Sequence, residues 1–218
     1  MTRLTGLAKL LSMYGDELIR NIGIHLMYVF VSVFFGFILG MTLGILLSRA
    51  PKYSKIVLPI LSVFNTIPGI VFIGILFLYL GMVPMTVIIA LSIYAMFPIL
   101  KNTYVGITNV EQKYVEAARG CGMNRRQILF KVELPLSMPT IIGGLRMATI
   151  YTVSWTVLAA MIGLGGLGEF IYQGININRN DIILLGAIPA AVLAILLGFL
   201  IDVLQRKVTP RGIRKEVK

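Results

Sequence analysis

The chain carries little charge, one cysteine and one histidine, and each of these shortages excludes a class of protein. Only 13% of its 218 residues are charged and 57% are hydrophobic, whereas a soluble domain normally carries about 25% charged residues. Cys121 alone excludes an internal disulfide, and His25 alone excludes a histidine-rich metal cluster. The composition therefore predicts an all-α, polytopic membrane protein with no metal site.

Long stretches of the sequence lack any formal charge, and their lengths predict five membrane spans. Twenty-eight uncharged residues separate Arg20 from Arg49, enough for one helix to cross a hydrocarbon core of ~30 Å. The 45 uncharged residues from 56 to 100 are too many for one crossing, and they divide at the turn 81–84. The predicted spans cover residues 24–48, 56–80, 84–100, 138–162 and 182–204, within a single transmembrane domain of residues 21–207.

The segments that flank this domain give weaker signals. Residues 1–20 hold apolar side chains at helical spacing, which predicts either an amphipathic helix along the outer membrane interface or a poorly ordered terminus. The apolar run that follows is far longer than the core of a cleavable signal peptide, so we expect the first span to be retained. Residues 208–218 form a basic tail, and Asp202 before it can pair with Arg206 one helical turn later.

Glycine and proline indicate where the predicted helices meet or break. Gly36, Gly40 and Gly44 share one helix face, where they permit either a sliding contact or static close packing. Pro68 and Gly69 interrupt the second span and free backbone groups that lipid cannot satisfy. This segment should therefore turn toward protein or a water-filled path, unless it is only a kinked packing helix. The GLGGLG run at residues 163–168 predicts an external turn with close backbone approach.

The net charge of +11 comes from basic residues between the spans, which favours a signal for membrane orientation over a nucleic-acid site. Sixteen of the 20 lysines and arginines fall on the side that holds residues 101–137 and the C-terminus. Because cytoplasmic loops carry the excess of basic residues, we expect the N-terminus outside and the C-terminus in the cytosol.

Residues 101–137 form the one substantial polar segment between spans, and it predicts two short helices that meet at a glycine turn. An asparagine precedes each helix and can cap it. The first helix should run from Val110 to Arg119. The expected capping and ending residues are Asn109 with Gly120 or Gly122 for the first helix, and Asn124, Gln127 and Pro135 for the second.

The chemistry of this segment favours a docking surface. Glu116 offers one charge, Ala117 and Ala118 are small enough for a partner to approach closely, and arginines form a basic rim. No nucleophile, base or metal cluster accompanies them, which argues against a membrane enzyme. A segment held at both ends by spans is a poor reader of a DNA groove. No predicted span has a charge in its middle, as a secondary transporter or channel commonly would.

The spacing of one set of residues resembles the E-A-A-x3-G-x9-I-x-L-P cytoplasmic loop of permease subunits of bacterial ABC importers. The matching residues are Glu116, Ala117, Ala118, Gly122, Val132, Leu134 and Pro135. Val132 replaces the isoleucine of that pattern and keeps its shape and apolarity. Residues 65–70, 97–107, 144–171 and 206–212 further resemble permeases that import glycine betaine, carnitine or choline. Methionine permeases are similar in plan but match these stretches less well.

The resemblance implies a fold, partners and a coupling contact. It implies a type I ABC importer permease fold in the lipid bilayer of a bacterial cell membrane, with a second permease subunit, identical or paralogous, completing the path. A dimer of cytoplasmic ATPase subunits would use ATP and Mg, and an external binding protein would deliver the solute. This chain would bind no cofactor and no nucleic acid, and would not be an enzyme. The residues implied to couple it to the ATPase are Glu116, Ala117, Ala118, Gly122, Leu134 and Pro135.

The solute path is predicted from the broken span and from aromatic residues in the spans. Aromatic faces attract quaternary ammonium ions through cation–π interactions, although aromatic residues in spans mostly serve packing. The candidate path residues are Asn65, Thr66, Pro68, Tyr94, Tyr151 and Trp155. Another amino-acid-like solute, such as methionine, is the alternative cargo.

Overall fold

The computed structural model describes the backbone of residues 2–209, and the side chains of these residues except 2–9, 11, 161 and 162. The described helices are α1 (Thr2–Ser48), α2 (Pro51–Phe64), α3 (Gly69–Leu80), α4 (Pro84–Thr108), α5 (Gln112–Gly120), α6 (Arg125–Ile128), α7 (Leu134–Thr156), α8 (Gly168–Asn176) and α9 (Asn180–Val208). A π-helical turn, Leu129–Glu133, joins α6 to α7, and a 3-10 helix, Val157–Ile162, follows α7. Most of the predicted tail, residues 208–218, lies outside the described residues.

Four helical stretches within residues 2–209 are long and apolar enough to cross a membrane. The first is the part of α1 from Ser12 to Ser48, and the other three contain α4, α7 and α9. Helices α2 and α3 together make a fifth candidate, which is bent by 92° at the break between them. Pro68 stands immediately before α3, so the predicted interruption of the second span is confirmed. With the bent pair counted as one span, the structure agrees with the five spans predicted.

Helix α1 is one unbroken helix of 47 residues, about 70 Å long at 1.5 Å per residue. Residues 2–20 therefore continue the same helix as the first predicted span, with no break that would set them apart. Near this end Tyr14 meets Phe170 of α8 edge to face, with ring centroids 6.1 Å apart. Tyr14 and Leu18 also pack against the buried Ile182 of α9. Contacts distant in sequence thus support the extension of the helix.

The three glycines predicted to share a face of α1 are buried against α4. A Cβ atom added to Gly40 would lie 2.7 Å from the carbonyl oxygen of Met96. One added to Gly44 would lie 2.6 Å from the Cβ of Thr103, and Gly36 is equally close to α4. The prediction of close backbone approach is confirmed.

Helix α4 lies at the centre of the bundle, because it packs against α7 as well as α1. Ala95 of α4 and Ala148 of α7 share an apolar cluster with Ile99. Helix α9 covers another face of α7, where Leu197 packs with Val153. The core is therefore a set of narrow helix–helix seams lined by small and branched side chains.

The glycine-rich run after α7 forms the turn that the sequence predicts, and a short helix that it does not predict. Gly166 has φ +94°, a left-handed conformation that favours glycine. Its N–H donates a hydrogen bond of 3.1 Å to the Asn21 side-chain oxygen of α1. Helix α8 follows directly and buries Phe170. The turn and α8 therefore close the end of the bundle at which α7 ends.

An ion pair joins α7 to α9 near the other end of the bundle. The Arg146 Nε lies 2.7 Å from Asp202 Oδ1. The prediction paired Asp202 with Arg206, since it considered only neighbours along one helix. Helix packing supplies Arg146, 56 residues earlier in the chain, as the partner seen in the structure.

Candidate functional site

Residues 109–133 form a small helical knob at the end of the bundle where α4 ends and α7 begins. Val115 and Ala118 of α5 are buried with Ile128 of α6, and Met123 and Val132 pack around them. Each helix contributes one apolar side to this cluster, and neither helix is long enough to be stable alone. The knob is therefore a shaped element with a small apolar core, and its opposite sides are exposed.

Gly122 ends the first helix of the knob. Its φ is +76°, and its N–H donates to the carbonyl oxygen of Arg119 at 2.9 Å. The next N–H, that of Met123, donates to the carbonyl oxygen of Ala118 at 3.1 Å. These two bonds and the left-handed residue define a Schellman motif. A Cβ atom at Gly122 would meet no atom within 4 Å, so the position requires glycine for its backbone conformation and not for lack of space.

The predicted caps of the two helices are partly confirmed. The Asn124 side-chain oxygen accepts from the Gln127 N–H at 2.9 Å, and the Gln127 side-chain oxygen accepts from the Asn124 N–H at 2.8 Å, which forms the expected capping box. The prediction for Asn109 is wrong: it ends α4, and Glu111 precedes α5.

Pro135 does not end the second helix, contrary to prediction. The chain stays helical from Arg125 through the π-helical turn and into α7. Pro135 lies in the first turn of α7, where a missing N–H is tolerated, and the wider turn just before it accommodates the change of hydrogen-bond pattern. The knob is consequently joined to α7 by continuous helix.

The residues implied to couple to an ATPase divide into an outer and an inner group. Glu116, Ala117 and Gly122 are exposed on the knob. Ala118 is only 6% exposed and packs inside the knob. The expectation that Ala118 is small so that a partner can approach it is therefore wrong: its size fits the apolar core.

Leu134 and Pro135 belong to the base of the knob. Leu134 is buried in a cluster with Ile107 of α4 and Ile141 of α7, and Pro135 is half-buried. Neither residue reaches the outer surface formed by Glu116 and Ala117. Their position instead fixes the knob to the two central helices.

A salt bridge that sequence reasoning missed ties the same base to α1. Both carboxylate oxygens of Glu133 accept hydrogen bonds from the Arg49 guanidinium group, with Nη1 at 3.2 Å from Oε1. Glu133 is 7% exposed, whereas the Arg49 side chain is 44% exposed. The sequence signal for this salt bridge was a single acidic residue in a mostly apolar segment, LFKVELPL. Its partner could not be inferred, because it lies 84 residues earlier in the chain.

The outer surface of the knob carries charges of both signs. Lys113 pairs with Glu111: its ammonium group donates a hydrogen bond to the Glu111 carboxylate, and this bond raises the pKa of the ammonium group. Lys113 also lies 5.0 Å from the centre of the Tyr114 ring. Exposed pairs of this kind add little stability, so they shape the surface potential more than the fold.

Three of the six candidate path residues meet at the break between α2 and α3. The Tyr94 and Trp155 rings stack with centroids 4.8 Å apart and an angle of 15°. The Tyr94 hydroxyl donates to the Ile67 carbonyl oxygen at 2.7 Å, next to Pro68. At Gly69 an added Cβ would lie 1.5 Å from the Trp155 ring. The turn therefore covers the aromatic pair directly, and these rings are packed.

Two other candidates, Asn65 and Tyr151, line a cavity of about 360 Å³ between α2, α4 and α7. Lys101 and Tyr104 of α4 line it as well. Thr66 does not line this cavity, and its hydroxyl donates to the Val63 carbonyl oxygen at 2.7 Å. The structure thus separates the predicted set into a packed aromatic turn and, beside it, an open cavity whose mostly apolar lining includes a few polar side chains.

Comparison with known proteins gives a consistent result over nearly the whole chain. A family model described as binding-protein-dependent transport system inner membrane component matches residues 18–214. The carnitine transport permease protein OpuCB of Listeria monocytogenes is 38% identical over 201 residues, 92% of each chain. The glycine betaine/carnitine/choline transport system permease protein OpuCB of Bacillus subtilis is 37% identical over 205 residues, 93% of this chain and 94% of the relative.

A solved structure shares the arrangement of helices. A chain of the MetNI methionine ABC transporter, in an inward-facing conformation, superimposes with a TM-score of 0.80 at 26% identity. The match covers 88% of this chain and 96% of that one. Most of the chain therefore shares its overall arrangement with a chain of a solved transporter.

Proposed function

The chain belongs to the binding-protein-dependent transport system inner membrane components, and we propose that it serves an ATP-driven importer of glycine betaine, carnitine or choline. Family membership and the fold make it a permease of an ABC importer. The cargo is proposed from the curated relatives at 37–38% identity, whose names state those solutes. Methionine is the second candidate, because the matched MetNI chain shares the fold.

The proposed coupling contact is the outer surface of the knob, with Glu116, Ala117 and Gly122 in contact with a separate ATPase. The observation that carries this proposal is a small, self-packed knob with an exposed α5 surface and a continuous helical connection to α7. A push on such an element moves α7 as a rigid body instead of deforming a loop. The Arg49–Glu133 salt bridge would pass the same displacement to α1.

The proposed orientation places the knob and the C-terminus in the cytosol of a bacterium and the N-terminus outside. It is supported by the 16 basic residues on the knob side of the chain. An ATPase dimer that uses ATP and Mg would then dock on the knob, while a solute-binding protein docks at the other end. A second permease subunit completes the path, and this chain binds no nucleotide.

Uptake by the reconstituted assembly tests the proposal. The permease would be purified with the ATPase, binding protein and any second permease encoded beside it, and placed in liposomes. We expect ATP-dependent uptake of labelled glycine betaine, carnitine or choline, and no uptake without ATP. Preferential uptake of methionine would replace the proposed cargo, and uptake that follows a proton gradient without ATP would refute the importer.

Variants of two glycines test the coupling contact in the same assembly. Gly122→Val forces a β-branched residue into a left-handed conformation, at a cost of about 1–2 kcal/mol, and should rearrange the turn and uncouple ATP hydrolysis from uptake. Gly122→Asn tolerates that conformation and should retain uptake. Gly120→Val is the matched control, since Gly120 is also exposed with open space around it but has no positive φ. Equal uptake by Gly122→Val and the wild type would contradict the assignment.

A further inference from the structure

Helix α4 carries a lysine well inside its length, beside the cavity between α2, α4 and α7. Lys101 lies seven residues before Thr108, the last residue of α4, or about 10 Å from the helix end at 1.5 Å per residue. The sequence prediction ended this span at residue 100 and so left Lys101 outside it. Ionisable residues within membrane helices usually face a cavity or the bundle interior and mark a path for a solute or ion.

The polar side chains around the cavity differ in whether the protein itself satisfies them. Ser62 donates to the Leu58 carbonyl oxygen, Asn102 donates to the Pro98 carbonyl oxygen, and the Tyr104 hydroxyl bonds to Ser54. Within the described part of the chain, the remaining polar lining side chains form no hydrogen bond or ion pair with protein groups. These are Asn65, Lys101 and Tyr151.

Two acidic side chains of the bundle are already paired with arginines. Glu133 binds Arg49 at the base of the knob, and Asp202 binds Arg146 between α7 and α9. The cavity therefore presents a cation with no counter-charge among the residues that the structure describes. Lys101 is exposed and lines the cavity, so its ammonium group is open to water or to a solute there.

The part of the cavity lining that belongs to α7 offers a different chemistry. Tyr151 of α7 is 50% exposed, so a face of its ring is open. One helical turn further along α7, Trp155 stacks on Tyr94 beneath the turn at Pro68. The packed aromatic pair thus lies just beyond the cavity on the side away from the knob. The volume of about 360 Å³ is within the range of about 300–1,000 Å³ typical of small-molecule sites.

We propose that this cavity is a subsite for a zwitterionic solute that carries a carboxylate and a quaternary ammonium group. Lys101 pairs with the carboxylate, and the Tyr151 ring faces the ammonium group through a cation–π interaction. Asn65 offers a further hydrogen bond. The subsite rests on the proposed function and adds a preference among its solutes. Carnitine and glycine betaine carry the carboxylate that Lys101 would bind. Choline has no carboxylate and would bring its positive charge near Lys101.

Uptake kinetics of charge variants test the subsite in the full reconstituted assembly. Lys101→Gln should lower kcat/KM for carnitine about tenfold or more, the effect of losing a charged hydrogen-bond partner. It should leave choline uptake unchanged or faster, since a repelling charge is gone. Lys101→Arg should retain most carnitine uptake. Lys52→Gln removes the charge of an exposed lysine that does not line the cavity, and should change neither solute.

Two further measurements separate the subsite from other roles of these residues. Tyr151→Phe should retain carnitine uptake and Tyr151→Leu should lose it, because the ring and not the hydroxyl is required. A structural role of Lys101 would lower the uptake of both solutes together, whereas the subsite requires that Lys101→Gln lose carnitine uptake and keep choline uptake. Equal losses for carnitine and choline in Lys101→Gln would overturn the subsite in favour of a structural or lipid-binding lysine.

The same measurements show whether a negative result contradicts the subsite alone or also the proposed function on which it rests. If the wild-type assembly carries no quaternary ammonium solute, the proposed function fails. If it carries carnitine and Lys101→Gln carries carnitine equally well, only the subsite fails. A wild type that carries choline but neither zwitterion refutes the subsite and leaves the importer assignment intact.

Discussion

At the scale of single residues, the Arg49–Glu133 salt bridge has unequal partners. Glu133 is nearly buried and its carboxylate is paired with Arg49, whereas Arg49 is half-exposed and water can solvate it. Removing a partner from a buried charge is costly because the remaining charge is left unpaired. The stability of the junction between α1 and the knob should therefore respond more to the loss of Arg49 than to the loss of the Glu133 charge.

We predict that Arg49→Met destabilises the purified permease more than Glu133→Gln. The cost of Arg49→Met should stay below the about 3–5 kcal/mol of a fully buried pair, because water reaches one side of this one. The double variant should recover part of the loss, since it leaves no charge unpaired. Thermal aggregation of the protein in detergent, followed by size-exclusion chromatography, measures the order. Equal effects of the two single variants would show that Glu133 is solvated without Arg49.

The same scale shows what could be predicted about the candidate site. The spacing of Glu116, Ala117 and Gly122 identified an exposed element, and Gly122 occupies the left-handed position that its residue type suggests. Whether Ala118 points inward could not be predicted, because α5 can bury any of several faces until α6 packs against it. Lys101 and Glu133 were missed as functional candidates because their surroundings come from helices distant in sequence.

At the scale of helices, the seam between α1 and α4 depends on the absence of side chains. The backbone of α4 occupies the space that a Cβ of Gly40 would need, with the Met96 carbonyl oxygen at 2.7 Å. A backbone oxygen cannot rotate away as a side chain can. Any larger residue at Gly40 must therefore separate the two helices.

We predict that Gly40→Ala destabilises the chain by about 1–3 kcal/mol, the usual cost of overpacking. Gly23→Ala in the same helix is the control, because a Cβ there meets nothing within 4 Å. Alanine also has the higher helix propensity by about 1 kcal/mol, so Gly23→Ala should be neutral or stabilising. Melting of both variants in detergent checks the prediction. A stable Gly40→Ala protein would mean that the seam can shift, as a sliding contact requires.

Features of the helices that depend on neighbouring residues in the sequence could be predicted. Features that depend on packing against distant parts of the chain could not. The glycine face of α1, the break at Pro68 and the capping box at Asn124 all follow from neighbouring residues. The continuation of the helix past Pro135 requires a π-helical turn that no local signal announces. Helix α8 was not predicted, since only the glycine-rich run before it was assigned a structure, an external turn.

At the scale of the whole molecule, the chain has two different ends and an apolar surface between them. The knob forms one end, and the turn at residues 163–167 with α8 forms the other. Large side chains on the sides are exposed, such as Leu78 at 84% and Tyr79 at 82% on α3. Lipid or a second permease subunit suits such a surface, and water does not. The unequal distribution of basic residues should then decide which end faces the cytosol.

We predict that the knob end faces the cytosol, and the single cysteine of the chain reports on it. Cys121 is exposed in the knob, so a membrane-impermeant maleimide should label it in inverted membrane vesicles and not in intact spheroplasts. The control is Asn176→Cys in a Cys121→Ser background, at an exposed position at the end of α8, which should be labelled in spheroplasts. The opposite pattern at both positions would reverse the topology. With the topology reversed, 16 of 20 basic residues would lie outside the cell, and the chain would contradict the positive-inside rule. The proposed coupling surface would then lie where no ATPase could reach it.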